Sequence, residues 1–115
     1  MTKITIINNE NKEKIAEGIL GQNVNKFEGN YYFQPDVVDF SNTIVEEDAY
    51  FCPIKQSKCD YYFLINSKGV KQDKEMCWIY EQISSPLFKN IAGIVGFYSN
   101  NTQPNGVTIL QENID

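Results

Sequence analysis

Tyr61-Tyr62-Phe63-Leu64-Ile65-Asn66-Ser67-Lys68-Gly69 is the stretch whose reading decides the fold. Its apolar and aromatic run is too short for a buried helix and has the length of a strand enclosed on both faces. The Asn-Ser-Lys-Gly cluster that follows is turn chemistry, with Gly69 able to take a positive φ at no steric cost. Glu75 to Tyr80, which contains Met76, Cys77 and Trp78, is then expected to fold back through that turn and pair with the strand before it.

Moving towards the N-terminus, Ala49 to Cys52 reads as a short strand stopped by Pro53, which has no N–H for a ladder. Glu46-Glu47-Asp48 before it reads as a solvated acidic loop, because neighbours on an extended chain point to opposite faces and do not converge on a cation. Phe27 to Phe33, with Tyr31-Tyr32-Phe33 at its end, is expected to be a strand closed by Gln34-Pro35. One or two helical turns are expected from Pro35 to Phe40. Lys12 to Leu20 carries helix formers, but Gly18 and Gly21 interrupt them and favour a short strand. Lys3 to Ile7 is a first strand ended by the polar cluster Asn8 to Asn11. In the other direction Ser84-Ser85-Pro86 breaks the pattern, and Gly93 to Tyr98 is a further strand. Val107 to Leu110, after the Pro104-Asn105-Gly106 turn, is expected to close a terminal hairpin with it. Many short strands separated by turns predict one all-β domain spanning residues 1–115.

Composition removes whole classes of chemistry. The 115 residues carry 10 Lys and 15 acidic residues, a net charge of −5, and neither Arg nor His. A Ser-His-Asp triad, a Cys-His pair, an imidazole metal ligand and a guanidinium clamp are therefore excluded. No Lys-rich patch is dense enough to follow a phosphate backbone, so no nucleic acid partner is expected. No run approaches the roughly 18 apolar residues of a membrane span, and no apolar stretch of signal-peptide length follows Met1. A cytoplasmic setting without a membrane partner is expected.

Cys52, Cys59 and Cys77 form no CxxC pair, and their odd number without a secretory signal argues for reduced thiols rather than disulfides. With no His available, no zinc site and no cofactor is expected. Cys52 lies three residues from Lys55, whose charge would favour the thiolate; the competing reading is a small buried hydrophobe. The aromatic set Tyr31, Tyr32, Phe33, Tyr61, Tyr62, Trp78, Tyr80, Phe97 and Tyr98 is either core or pocket wall, and its many polar tips suit a pocket.

Several spaced blocks coincide: Glu28-Gly29-Asn30-Tyr31-Tyr32-Phe33-Gln34-Pro35, Cys52-Pro53-Ile54-Lys55, Tyr61-Tyr62, Cys77-Trp78-Ile79-Tyr80 and Gly96-Phe97-Tyr98. Their order resembles the family catalogued as domain of unknown function 427, over about residues 15 to 110. The resemblance implies a β-tent, a small all-β domain of two angled antiparallel sheets. Related tents often hold zinc through two CxxC pairs, which this chain lacks. The chain departs from the family pattern at Gln56, where Gly is common, at Cys77, where Ala precedes the Trp, and in Glu81 to Ile83, where a Pro is missing.

The family also carries a nucleotidyltransferase label. Nucleotidyl transfer rests on carboxylate-held metal ions and cationic clamps, and the chain has no glycine-rich phosphate loop, Asp-x-Asp pair or Arg. No catalytic residue is assigned. The leading expectation is a non-catalytic domain binding an unknown small molecule or protein partner. Its cleft, placed between the sheets, would be lined by Tyr32, Tyr62, Trp78 and Tyr80, with Glu28, Cys52 and Lys55 nearby. The alternatives are an accessory subunit of a larger assembly and a small enzyme using Lys55 or Cys52.

Overall fold

A computed structural model describes residues 1–114. Its strands, in chain order, are β1 (Thr2–Asn8), β2 (Lys14–Ile19), β3 (Val24–Phe27), β4 (Asn30–Phe33), β5 (Thr43–Cys52), β6 (Ser57–Leu64), β7 (Cys77–Ile79), β8 (Val95–Phe97) and β9 (Val107–Asn113). They form two antiparallel sheets, β2-β1-β9 and β3-β4-β8-β7-β6-β5. Among the described residues helix is confined to 3-10 turns at Pro35–Val37 and Pro86–Ile91, each begun by a proline with φ already suited to a turn. The all-β, two-sheet architecture expected from the sequence is the one observed.

One core lies between the sheets. Alternate residues Ile4 and Ile6 of β1 face Tyr31 and Phe33 of β4, Cys77 and Ile79 of β7, and Val95 and Phe97 of β8. The rings of Phe33 and Phe97 meet edge to face at 5.3 Å. The opposite face of the six-stranded sheet is also apolar: Tyr32, Cys59, Trp78 and Tyr80 pack there with Ile83 and Ile91. Burial on both faces explains why the β6 and β7 segments read as continuous apolar runs rather than alternating ones.

Three expectations change. Phe27 to Phe33 is two strands, because Glu28 (φ 51°) and Gly29 (φ 81°) both adopt left-handed backbone and reverse the chain in a two-residue hairpin. β5 starts at Thr43 and carries the acidic triplet within it. Between the pairs Glu46↔Tyr61 and Tyr50↔Cys59 the ladder is interrupted, with Asp48 at φ 53° and its N–H donating to Asp60 Oδ1 at 2.9 Å. This bulge and its charges sit on an edge strand, where they discourage pairing with other chains. Finally, β9 forms no hairpin with β8. It pairs with β1 from Thr2↔Asn113 to Asn8↔Val107, while β8 lies between β4 and β7. The β6–β7 turn is as expected: Asn66 Oδ1 accepts the Lys68 and Val70 N–H groups, and Gly69 sits at φ 78°.

Candidate functional site

Cross-strand register builds the site. Tyr61 of β6 lies opposite Trp78 of β7, Trp78 opposite Gly96 of β8, and Gly96 opposite Tyr32 of β4. Residues directly opposite share a face, so these four form one row on the side of the sheet turned away from β1, β2 and β9. Two residues further along, Tyr80 and Tyr98 extend the same face. The neighbouring row, Tyr62, Cys77, Phe97 and Tyr31, points the other way into the core.

Gly96 makes the row possible. A Cβ there would lie 2.4 Å from Trp78 Nε1, so the indole rests directly on the glycine. The Trp78 N–H donates to the Tyr32 hydroxyl at 3.2 Å, and the Trp78 and Tyr98 rings meet at 4.9 Å. The result is a cleft of about 190 Å³ with aromatic walls. Drug-sized ligands need pockets from about 300 Å³ upward, so the cleft fits something smaller.

Three charged residues also line it. Lys55, in the β5–β6 loop, is buried, and its ammonium lies 2.7 Å from Glu28 Oε1 in the β3–β4 turn. The same ammonium stands over the Phe88 ring at 4.9 Å and the Tyr80 ring at 5.4 Å. Burial alone would lower its pKa, but the Glu28 carboxylate outweighs that and leaves it raised. Glu75, also buried, accepts the Tyr98 hydroxyl at 3.0 Å and has Lys74 Nζ at 3.5 Å from its other oxygen. Desolvation pushes the lining phenols towards their neutral forms: Tyr61 rises to about 12, and Tyr32, Tyr80 and Tyr98 are raised as well. It also lifts the Cys59 thiol to about 11.

The sequence-selected residues divide. Glu28, Tyr32, Lys55, Trp78 and Tyr80 converge on the cleft. Cys52 stands behind it, its sulfur accepting the Lys55 backbone N–H at 3.5 Å, and so supports the loop rather than lining the cleft. Tyr62 is in the other row, packed on Phe40 at 4.8 Å. The cleft itself is on the outer face of the six-stranded sheet and not between the sheets, because the space between them is filled by core side chains.

Tyr61 and Tyr98, which the sequence left between core and pocket wall, belong to the lining, as do Asn30, Tyr50, Cys59 and Glu75, which it did not select. Period-two spacing from Trp78 and Gly96 would have found Tyr98. Nothing local distinguishes Tyr61 from Tyr62. Gln56 adopts φ 54°, a backbone region that glycine enters without strain. Among the described residues no three Asp, Glu or Cys side chains gather as a metal site, and no helix is long and apolar enough to cross a membrane.

No curated protein matches the chain significantly. Residues 25–108 match the family described as a domain of unknown function, DUF427, a span that includes every residue of the aromatic row and the charged residues of the cleft lining. The outer cleft is thus set in the part of the sequence that defines the match, and the chain belongs to the DUF427 family.

Proposed function

We propose that this domain binds a small molecule in the outer cleft of its six-stranded sheet without transforming it. The observation that carries the reading is the cleft itself: flat aromatic walls formed by Tyr32, Tyr61, Trp78 and Tyr98, ending in the Lys55–Glu28 pair. Aromatic walls with a few fixed polar groups suit recognition. The groups that chemistry would use are held in inactive forms. Lys55 stays protonated beside Glu28, and the Cys59 thiol is far from ionising at neutral pH. The donor set that carries metal-assisted nucleotidyl transfer does not assemble among the described residues.

A thermal-shift screen of metabolites and nucleotides on wild type and Lys55→Ala tests the reading, with circular dichroism verifying that the variant is folded. A ligand at 100 times its Kd stabilises by about 2.7 kcal/mol, a shift on the order of 10 °C. Stabilisation of the wild type whose size changes in the variant, because the charge in the cleft lining changes, is the expected result; a silent library on the wild type refutes it.

A second reading, an accessory subunit of a larger assembly, is favoured by edge strand β5 and the loop after it. Ile44, Val45, Tyr50, Phe51 and Ile54 are all exposed there beside unpaired backbone. A protein partner whose capture survives Lys55→Ala but is lost in Phe51→Lys would replace the small-molecule reading.

A further inference from the structure

We propose that the outer cleft takes a small organic cation, a protonated amine carried on a flat apolar body, with Glu75 as its carboxylate partner. This inference rests on the binding reading above and specifies the class of ligand. The argument begins with the charges in the lining. Glu28, Glu75 and Lys55 are its charged residues, two acidic and one basic. Lys55 is already engaged at 2.7 Å by Glu28, so an entering anion would meet a committed ammonium and an unfavourable carboxylate at Glu75. Burial raises the Tyr61 and Tyr98 phenols, and the Glu75 carboxylate adds to the rise, so negative charge beside it is opposed by charge as well as by desolvation.

A cation meets the reverse. Glu75 has its side chain only 5% exposed, and among its ion pairs the partner is Lys74, which is 43% exposed and able to swing into water. Its Oε2 is fixed by the Tyr98 hydroxyl, which leaves Oε1 directed at an ammonium that a ligand can replace. The rings around the cleft already accept ammonium groups. Lys55 sits over Phe88 and Tyr80, and Lys74 lies 5.9 Å from the centre of the Tyr98 ring. Ring faces attract cations through their quadrupole, and more strongly once water is excluded. Trp78 and Tyr61 offer the apolar body its wall. The volume of about 190 Å³ equals that of about six waters, room for a single ring with a short amine arm.

Benzylamine, benzyl alcohol and benzoate share a skeleton and differ in charge. Titrating each at pH 7 against the full chain, followed by the emission and indole N–H resonance of Trp78, tests the inference. Protonated benzylamine is expected to bind about tenfold or more tightly than benzoate, with the preference shrinking as salt is added. Glu75→Gln should weaken benzylamine while leaving benzyl alcohol unchanged. Since Glu75 is buried, Glu28→Gln provides a second measurement at an exposed position: with Lys55 released, benzoate binding should strengthen. Benzoate or benzyl alcohol binding as tightly as benzylamine to the wild type overturns the cation inference and leaves the cleft reading intact. Silence of all three probes also overturns it, and the cleft reading falls with it only if the metabolite library is silent too.

Discussion

Replacing Gly96 by Ala puts a methyl group 2.4 Å from Trp78 Nε1, 2.5 Å from Cε2 and 2.9 Å from Cζ2. Carbon atoms rest comfortably at about 3.5–4.0 Å, so the indole has to move by about 1 Å. The ring is held by its hydrogen bond to Tyr32 and by edge contacts with Tyr32 at 6.2 Å and Tyr98 at 4.9 Å. Three effects compete. Restricting the unfolded chain favours Ala by about 0.4–1 kcal/mol. Overpacking costs about 1–3 kcal/mol. Losing the buried Trp78–Tyr32 hydrogen bond costs about 1 kcal/mol more.

The balance is a loss of about 1–3.5 kcal/mol, which lowers Tm by on the order of 10 °C at mid-range for a domain of this size. Urea unfolding followed by far-ultraviolet circular dichroism should show the midpoint falling with an unchanged slope. A double-mutant cycle isolates the cause. Trp78→Phe removes the clashing indole edge, so Gly96→Ala should cost at least about 1 kcal/mol less in that background. A Gly96→Ala protein within about 0.5 kcal/mol of wild type, or strict additivity in the cycle, would refute the packing argument.

Two further predictions concern the six-stranded sheet. The Tyr61 phenol is raised from 10.0 to about 12 and the Cys59 thiol from 9.0 to about 11, so the folded state keeps protons that the unfolded state releases. That contribution is full below pH 9 and is lost as pH rises through the folded values, at up to about 1.4 kcal/mol per pH unit for each group titrating; urea midpoints that stay level from pH 8 to 11 would contradict it. The two adjacent tyrosines should separate stability from emission. Tyr62→Ala, on the core side, should cost about 1–3 kcal/mol with the Trp78 emission maximum unchanged, whereas Tyr61→Ala should shift that maximum because Trp78 loses its cross-strand neighbour.

Much of this protein is determined by short-range chemistry. The Asn66 to Gly69 turn, the prolines that begin the 3-10 turns and the β-branched run of β1 bias each segment to strand or turn through local steric preference. The ordered blocks from Glu28 to Tyr98 suffice for the family. Glu28 and Lys55, 27 positions apart, were legible together only through those blocks, and the two hairpin loops that carry them bring the pair to 2.7 Å.

Tertiary structure decided the rest, and the reason is parity. A strand with one solvated face announces its orientation by alternation, but around Tyr61 and Tyr62 both faces of β6 are partly covered, so the two look alike in the sequence. Pairing with β7 sets Tyr61 opposite Trp78 and sends Tyr62 into the core; a slip of one residue would exchange them. Partner choice is equally non-local. Pro104-Asn105-Gly106 suggests a hairpin, yet β9 crosses to β1 at the other end of the chain, where its inward residues cover Ile4 and Ile6. With that core filled, the remaining aromatic face of the larger sheet is left to form the cleft, and no segment read alone contains that outcome.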